Sequence, residues 1–362
     1  MTINAFLLEP IKKLSSYYDV YIAINGRSED ISAYLDNVTI LTVPIERKVA
    51  PFHDLIALFH LIKIFRQYKF RGVHSVTPKA GLLAMIAAFF SRVPRRVHIF
   101  TGQVWVTRTG LSRWVLKLMD RIISKLATNI LVDSASQRQF LLNEDVVNLA
   151  KSSVLAQGSI SGVDTVRFKP NENIRLKMRQ QFSIKNEETV YLFIGRLNRD
   201  KGVLDLASAF ASLPVVNSHL LIVGPDEGDI RLEMESLLSN CIERVTFVGF
   251  SNQPEDYMAA ADILCLPSYR EGFGSVIIEA AAVGLPAIGS KIYGVEDAIA
   301  EEQTGLLFDA GNREELITCM MRISTDKGLC KRLGTNARKR ALEDFSSERL
   351  ASAWLNYYKT NL

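Results

Sequence analysis

The sequence is poor in cysteine, and its cysteines do not form a motif. The four are scattered over the second half of the chain, with no Cys-x-x-Cys pair, at Cys241, Cys265, Cys319 and Cys330. Such spacing provides neither a metal-binding motif nor a disulfide framework, so it excludes the small zinc-stabilised and disulfide-stabilised classes. We expect free thiols and a reducing cytoplasm.

Long apolar runs and a secretory signal are also missing. The longest apolar run covers residues 80–91, whereas a helix that spans a bilayer needs ~20 residues. Residues 1–14 form a short amphipathic stretch that ends in Lys12 and Lys13, unlike a signal peptide. We therefore expect a protein that is not integral to a membrane.

Acidic residues are scarce in the first half only. Residues 1–167 contain 21 lysines and arginines against 12 acidic residues, whereas residues 168–362 contain 22 against 27. The basic half predicts an anionic partner, for which membrane headgroups, a phosphate-bearing acceptor and nucleic acid are candidates. Nucleic acid is the least favoured, because the basic residues lack interleaved aromatics outside one helix and no recognition motif is found.

What the sequence does contain is the pattern of a two-domain α/β protein. Its 362 residues, 48% hydrophobic and 23% charged, fit a folded chain that exceeds one ordinary domain. Short β-rich runs alternate with helical stretches, which predicts two Rossmann-like, doubly wound domains with parallel sheets that face across a cleft. Strands are predicted at 20–24, 38–43, 72–75, 96–100, 129–132, 153–155, 189–194, 219–223, 245–248, 263–266, 287–289 and 305–308. The polar stretch 158–173 is interpreted as the linker between the two domains.

The first candidate for ligand binding is residues 190–202, VYLFIGRLNRDKG. A buried strand is predicted to end at Gly195, followed by a polar turn with Arg196 and by Lys201 at the start of a helix. Glycine lets the backbone approach a ligand, and two cations five residues apart can flank a diphosphate. The alternative is that these basic residues are solvated surface.

The second candidate is more specific and covers residues 269–289, YREGFGSVIIEAAAVGLPAIG. A glycine-rich turn contains Glu271, Phe273 and Gly274, and a helix is predicted to begin near Ser275 and to hold Glu279 in its second turn. The free amides and positive dipole end of a helix start suit phosphate oxygens. The two glutamates can then accept hydrogen bonds from the hydroxyls of a ribose and of a sugar ring on either side.

Smaller features agree with a nucleotide site. Gly224 and Gly249 each follow a predicted strand, where the backbone can approach a base. Tyr257 begins the helix beneath that base, as a candidate stacking residue or as a core residue. No metal is expected, because the cations and the helix dipole supply the positive charge.

At these residues the sequence resembles glycosyltransferase family 4, the retaining enzymes of the GT-B fold. The matching segments are GRLNRDKG at 195–202, the Glu-x7-Glu motif from Glu271 to Glu279, GVDTVRF at 162–168 and TGLLF at 304–308. In the first half, TPKAGLLA at 77–84 is similar to the bacterial branch that builds polysaccharides on polyprenyl-diphosphate carriers.

The resemblance implies roles for these residues. Arg196 and Lys201 are expected to neutralise the diphosphate of a nucleotide-sugar donor, which we expect to be a UDP-sugar. Glu279 is expected to bind the ribose hydroxyls. Glu271, with the backbone of Phe273 and Gly274, is expected to hold the transferred sugar. The domains are predicted at 1–165 for the acceptor and 166–345 for the donor, followed by a closing helix within 346–362 that crosses back to the first domain.

The sequence departs from the family at a position near the donor sugar. Many members have a His-Gly pair after the fourth strand, where this chain has Thr101-Gly102. We expect Thr101, Gly102 and Lys79 on the acceptor side, and His98 in the core. Retaining transfer does not require a base to activate the acceptor, so threonine is compatible with catalysis.

The sequence also departs from the family at its start. Members begin with a strand before their first helix, whereas this chain begins at about that helix, predicted at 4–14. Loss of a central strand would leave neighbouring backbone groups unpaired, at ~1–3 kcal/mol per buried group. We therefore expect Met1 to be internal to a longer protein, the alternative being a truncated and poorly active copy.

A basic stripe recurs every fourth residue at Arg113, Lys117, Arg121 and Lys125, and apolar residues follow one position behind each. One interpretation is a helix lying on an anionic membrane surface, with ~1 kcal/mol from each basic residue. The other is an ordinary solvated face over a buried one.

These features together predict a hexosyl- or N-acetylhexosaminyl-type glycosyltransferase. It would transfer a sugar to a saccharide acceptor, expected on a polyprenyl diphosphate, in the synthesis of bacterial surface polysaccharide, lipopolysaccharide or O-antigen, in the cytoplasm or peripherally on the inner face of the membrane. The alternatives are a sugar-nucleotide epimerase of the same fold and a non-catalytic protein that binds the nucleotide sugar.

Overall fold

The computed structural model describes residues 6–26, 35, 37–46, 50–214 and 217–362, and these fall into two compact units. Unit 1 comprises 1–162 and 347–362, and unit 2 comprises 163–346. The predicted closing helix therefore belongs to the unit formed by the first part of the chain. In the part of the chain that is described, no helix is long and apolar enough to cross a bilayer.

Unit 1 alternates strands and helices in the predicted manner. Its elements are α1 (Leu8–Ser15), β1 (Val20–Ile24), β2 (Val38–Thr42), α2 (Pro51–Tyr68), β3 (Gly72–Ser75), α3 (Pro78–Phe90), β4 (Arg95–Phe100), α4 (Gly110–Leu126), β5 (Asn129–Val132), α5 (Ala135–Asn143), β6 (Ser152–Val154) and α14 (Ser347–Asn361). The predicted helix at 4–14 lies partly outside the described residues, and its described part begins at Leu8.

The strands of unit 1 form two parallel sheets, one with the order β1-β2 and one with the order β3-β4-β5-β6. On one side, apolar residues of α14 pack on β4 and β5, with Trp354 donating from Nε1 to the Ile160 carbonyl at 3.1 Å. Buried side chains of α2, α3 and α4 form further clusters of the core. The four-stranded sheet is thus covered by helices, as buried parallel strands require.

Unit 2 contains a longer parallel sheet. Its elements are α6 (Glu172–Gln181), β7 (Thr189–Ile194), a 3₁₀ turn (Arg199–Lys201), α7 (Val203–Ala211), β8 (Ser218–Val223), α8 (Ile230–Leu237), a 3₁₀ turn (Ile242–Arg244), β9 (Val245–Gly249), α9 (Pro254–Ala260), β10 (Ile263–Leu266), α10 (Ser275–Val283), β11 (Ala287–Ser290), α11 (Val295–Ala298), β12 (Gly305–Phe308), α12 (Arg313–Thr325) and α13 (Lys327–Asp344).

The strand order of this sheet defines where a ligand is expected. The order is β12-β11-β10-β7-β8-β9 with every pair parallel, so the chain reverses direction across the sheet between β7 and β10. Ligands of doubly wound sheets bind outside the carboxyl ends of the strands at such a switch point. The turns of the two sequence motifs, 190–202 and 269–289, follow β7 and β10 and therefore lie at this position.

A partly buried cluster of charges fixes α6 to the sheet of unit 2. The Asp262 carboxylate accepts from the Arg175 and Arg179 guanidinium groups and from the Val190 amide, each at 2.7 Å. Arg179 is 1% exposed and also donates to the Ala260 carbonyl at 2.9 Å. This cluster holds the start of β7 beside β10, the two strands that carry the motifs.

The predicted fold class is confirmed, since two α/β units with parallel sheets are observed. The twelve predicted strands are all found, with shifts of one residue at several ends. The buried apolar runs made these strands recognisable, because parallel strands covered on both faces are nearly continuous in apolar residues.

Candidate functional site

The first part of the site is the turn that follows β7. Asn198 caps the 3₁₀ turn, its side chain accepting from the Lys201 amide at 3.2 Å, and Gly202 ends it with φ +64°. A Cβ atom at Gly202 would lie 1.9 Å from the Pro267 carbonyl oxygen. Glycine is therefore required for the turn after β7 to approach the end of β10 this closely.

Lys201 and Glu271 form an ion pair across these two strand ends, with Nζ against Oε1. The Ser268 hydroxyl, which is fully buried, donates to the same Glu271 oxygen at 2.8 Å. The Tyr269 amide donates to the Asp200 carbonyl at 2.8 Å, and Arg270 pairs with Asp200 at 3.1 Å. The two turns are thus joined at the switch point of the sheet.

The start of α10 lies next to this pair along the chain. Gly274 precedes the helix with φ +76°, and as the N-cap residue it provides no side-chain cap for the first amides. The free amides and the positive dipole end of a helix start are chemically suited to an anion. The Phe273 ring is 2% exposed and packs on Phe345, so only its backbone is available to a ligand.

Arg196 lies on the other side of the turn, and about half of its side chain is exposed. Its guanidinium pairs with Glu227 at 3.0 Å, and Asn198 donates to the same carboxylate at 3.2 Å. Glu227 follows β8, so this pair joins the ends of β7 and β8.

Glu279 is half-buried in the second turn of α10, and among the described residues no hydrogen-bond partner is found for it. Burial raises the pKa of this carboxyl to about 7, while the positive charge of Arg167 acts in the opposite direction. Arg167 itself donates to Glu255 and to the Asn252 carbonyl, both at 2.7 Å. The carboxylate therefore lies in the field of a cation that the adjoining loop holds in place.

Gly224, directly after β8, and Gly249, the last residue of β9, bring the neighbouring strand ends together. Gly224 has φ +147°, and a Cβ atom there would lie 1.8 Å from the Gly195 carbonyl oxygen. Its amide donates to the Gly249 carbonyl at 2.8 Å. Tyr257 is half-buried, and its ring stacks on the Phe182 ring with 6.2 Å between the ring centroids. Both rings pack against the core of unit 2.

The acceptor-side candidates lie in unit 1. Thr101 and Gly102 follow β4 and are half-buried, and Gly102 has φ +117°. Lys79 is engaged with Asp54 at 2.5 Å and with the Glu46 carbonyl at 2.9 Å, so it joins the starts of α3 and α2.

His98 lies in the core of unit 1, as predicted, and is 1% exposed. Its Nδ1 is 2.8 Å from the Ser75 hydroxyl, and a Cβ atom at Gly81 would collide with its ring. His74 is 2.5 Å from the Tyr358 hydroxyl. Burial lowers the pKa of each imidazole to about 3.

The basic stripe of α4 has a structural role that the sequence pattern did not indicate. Lys117 and Arg113 pair with Glu144 at 2.6 and 3.5 Å, and both cations lie over the buried Trp105 ring. Arg121 donates to the Glu144 and Asp145 carbonyls at 3.1 Å. Only Lys125, at the end of the stripe, is simply exposed. In the apolar stripe, Trp114, Leu118 and Ile122 are exposed to solvent, whereas Leu126 packs against the core.

The structure thus brings Lys201, Glu271 and the start of α10 to one place and adds partners that were not predicted from the sequence. Glu227 was missed because its partner Arg196 follows another strand, whereas Ser268 bonds Glu271 within the same turn and gave no recognisable motif. Arg167 lies in the segment GVDTVRF, which matched the family pattern, but its electrostatic interaction with Glu279 was not predicted from the sequence. In the part of the chain that is described, no group of three or more metal-ligating side chains is found.

A doubly wound sheet with cations, an uncapped helix start and two glutamates at its switch point defines a class of proteins that bind nucleotide sugars. Two family models match the chain: "Glycosyl transferase 4-like" over residues 2–134 and "Glycosyl transferases group 1" over residues 174–340. The chain belongs to this family of glycosyltransferases and has the GT-B fold, as its sequence motifs predicted.

Particular relatives are similar over most of their length. The capsular polysaccharide biosynthesis glycosyltransferase CapM of Staphylococcus aureus is 29% identical over 348 residues, covering 95% of this chain and 90% of the relative. An Escherichia coli UDP-Gal:alpha-D-GlcNAc-diphosphoundecaprenol alpha-1,3-galactosyltransferase is 27% identical, covering 88% of this chain and 83% of the relative. The structure of Anabaena Alr3699/HepE in complex with UDP and glucose has a TM-score of 0.82 at 19% identity, covering 98% of this chain and 95% of that one.

Proposed function

We propose that this glycosyltransferase moves a hexosyl or N-acetylhexosaminyl group from a UDP-sugar to a saccharide on a polyprenyl diphosphate, with retention of anomeric configuration. The reaction belongs to the synthesis of bacterial surface polysaccharide or lipopolysaccharide, at the cytoplasmic face of the membrane. The observation that carries the proposal is the contact of Lys201 with Glu271 beside the start of α10, at the switch point of the sheet.

The geometry supports a role for unit 2 in holding the donor. Negative charge grows on the diphosphate as the bond between the sugar and its oxygen breaks. We assign the stabilisation of that charge to Lys201, Arg196 and the first amides of α10, since preorganised charge stabilisation commonly contributes more to catalysis than any other single effect. Glu279 binds the ribose hydroxyls, and Glu271 binds hydroxyls of the transferred sugar. With the positive charge supplied by these groups, we propose that no metal ion is required.

The relatives support the acceptor and donor classes. The name of the E. coli relative states a UDP-galactose donor and a diphosphoundecaprenol acceptor. A Campylobacter jejuni relative, 23% identical over 85% of this chain, is named for N-acetylgalactosaminyl transfer to a diphospho-undecaprenol saccharide. Both names describe transfer to a lipid-linked acceptor, which is the class proposed here.

The direct test is transfer by the purified chain from a panel of UDP-sugars to undecaprenyl-diphosphate-linked saccharides, in the presence of a metal chelator. We expect a product extended by one sugar, and NMR of the new anomeric proton should show the configuration of the donor. An inverted linkage, strict dependence on added magnesium or manganese, or an epimerised nucleotide sugar without transfer would each contradict the proposal.

A further inference from the structure

Glu271 accepts both of its hydrogen bonds on one of its two carboxylate oxygens. Its Oε1 accepts from the Lys201 ammonium group and from the Ser268 hydroxyl, the latter at 2.8 Å. Within the part of the chain that is described, Oε2 accepts no hydrogen bond, although solvent reaches it. An ionised carboxylate can accept on both oxygens, so Oε2 is the oxygen that remains available to a ligand.

The two partners of Oε1 differ in charge and in exposure. The Lys201 side chain is 19% exposed and carries the charge that a diphosphate attracts. Ser268 is uncharged and fully buried, so its hydroxyl is out of reach of a ligand. In the proposed function the diphosphate draws Lys201 away from Oε1. The hydrogen bond from Ser268 is then the one that still holds Glu271 in place.

The backbone around Ser268 is fixed by the turn that follows β7. The Tyr269 amide donates to the Asp200 carbonyl at 2.8 Å. On the other side of Ser268, the Pro267 carbonyl oxygen would lie 1.9 Å from a Cβ atom at Gly202. The hydroxyl of Ser268 is therefore carried by a rigid segment, and a rigidly held hydrogen-bond donor can fix the orientation of its partner before the substrate binds.

The backbone that follows Glu271 is held as well. Gly272 is buried, and its carbonyl oxygen would lie 2.3 Å from a Cβ atom at Gly294, which has φ +82°. With the chain fixed on both sides, the side-chain torsions are the main freedom left to Glu271. Contact with Ser268 restricts these torsions, and it does so independently of Lys201.

We propose that Ser268 is a positioning residue for sugar transfer. It anchors Oε1 of Glu271, so that Oε2 stays available to a hydroxyl of the transferred sugar while Lys201 binds the diphosphate. Because Oε2 is an acceptor, the transferred sugar must supply a hydroxyl that donates to it. The inference deepens the proposed function and rests on it for the roles of Lys201 and Glu271.

The test compares the wild type with Ser268→Ala, which lacks the anchoring hydroxyl. The probes are UDP, which has the diphosphate without the sugar, and whichever of UDP-glucose, UDP-galactose and their N-acetylamino forms the wild type transfers. Calorimetry should show that the affinity for UDP changes by less than about twofold, whereas the affinity for the UDP-sugar and kcat each fall about tenfold or more. Equal losses for UDP and the UDP-sugar, or a UDP-sugar affinity and kcat that match the wild type, would overturn the inference.

Ser218→Ala is the matched control for the loss of a buried hydroxyl. Ser218 is also fully buried in unit 2, and its hydroxyl accepts from Arg244 at 3.1 Å. It begins β8 and therefore lies at the opposite edge of the parallel sheet from Ser268. Ser218→Ala should bind UDP and the UDP-sugar like the wild type. If it loses UDP-sugar affinity as strongly as Ser268→Ala does, the effect is one of general stability and the positioning role is refuted.

Singly deoxygenated analogues of the transferred UDP-sugar provide a second readout. Removal of the hydroxyl that donates to Oε2 should lower kcat/KM of the wild type about tenfold or more. The same removal should lower kcat/KM of Ser268→Ala clearly less, because both changes act through the Glu271 carboxylate and their effects are not additive. Equal losses in the two proteins for every analogue would contradict the inference.

The two proposals fail in different ways. A wild-type protein that binds UDP but transfers sugar from none of the four UDP-sugars would contradict the proposed function. A wild type that transfers sugar, together with a Ser268→Ala variant that does so equally well, would contradict the positioning role of Ser268 and leave the proposed function standing.

Discussion

Lys201 and Glu271 are the pair of residues on which the proposed chemistry depends. Both side chains are largely buried, and each is the charge partner of the other. A donor diphosphate that binds Lys201 competes with Glu271 for the ammonium group, and this releases a carboxylate oxygen for the hydroxyls of the sugar. Binding of the diphosphate at Lys201 would thus be coupled to binding of the sugar at Glu271.

Substitution of either residue should reduce turnover strongly. We expect Lys201→Ala and Glu271→Ala each to lower kcat at least about a hundredfold, or about 2.7 kcal/mol of transition-state stabilisation. Arg199→Ala is the matched control, because Arg199 is a cation of the same turn that pairs with the exposed Glu233. Initial-rate assays compare the variants, and activity of Lys201→Ala within threefold of wild type would refute its role.

Glu279 should make donor affinity depend on pH. Burial raises the pKa of this carboxyl to about 7, and the ionised form is the better acceptor of ribose hydroxyls. A sugar-linked diphosphate does not titrate between pH 6 and 8, so loss of the carboxylate should weaken binding about tenfold as the pH falls from 8 to 6. Titration calorimetry with the UDP-sugar should show that the Glu279→Gln variant binds it weakly and with an affinity that hardly changes with pH. The same pH dependence in both proteins would assign it to another group.

At the scale of elements, the sequence predicted the strands and the motif turns but not the contacts between the turns. Residues 195–202 and 269–279 are each continuous in sequence, so local pattern was sufficient to locate Lys201, Glu271 and Glu279. The bonds of Arg196 to Glu227 and of Lys201 to Glu271 depend on which strands are neighbours. Strand order is set by the packing of the whole sheet, which a single sequence does not specify.

The behaviour of α4 shows the same limit. Its two stripes were recognised from their period, but period alone does not determine which stripe is buried. Glu144, at the end of α5, attracts the cations and so places the apolar stripe outside. An acidic residue 27 positions from Lys117 in sequence therefore decides the orientation of the helix.

The approach of the turn after β7 to the end of β10 makes Gly202 essential for stability as well as for the site. Gly202→Ala combines a left-handed backbone with a collision at Pro267, and we expect a loss of about 3 kcal/mol, or about 6 °C or more in Tm. Gly284→Ala is a suitable control, since it has φ +100° and open space around a Cβ atom. Thermal unfolding should show a clearly smaller loss for the control, and equal losses would exclude the collision as the cause.

At the scale of the whole molecule, buried ionisable groups make stability sensitive to acid in opposite directions. Neutral His74 and His98 in unit 1 have a pKa lowered to about 3, so below pH 6.5 the unfolded chain takes up protons that the folded chain does not. Their contribution to stability is therefore lost as the pH falls. Burial raises the pKa of Asp133 to about 8, so the folded protein takes up this proton first and the contribution of Asp133 to stability increases as the pH falls.

A comparison with His98→Gln isolates the histidine contribution, because the carboxyl groups are common to both proteins. Between pH 6.5 and pH 5, the free energy of unfolding of the wild type should fall by about 2 kcal/mol more than that of the variant. Thermal unfolding measured across this range should show the gap narrowing. For His60→Gln, at an exposed position of α2, the gap should stay constant. A constant gap for His98→Gln as well would show that this residue is not neutral in the folded protein.

The central claim is that unit 2 binds a diphosphate between Lys201, Arg196 and the start of α10. The most direct measurement is the affinity for UDP relative to UMP, determined by titration calorimetry for the wild type, Lys201→Ala and Arg199→Ala. The account predicts that UDP binds the wild type roughly a hundredfold more tightly, about 2.7 kcal/mol, that Lys201→Ala loses most of this preference, and that Arg199→Ala retains it. Equal affinities of UDP and UMP for the wild type, or an unchanged preference in Lys201→Ala, would contradict it.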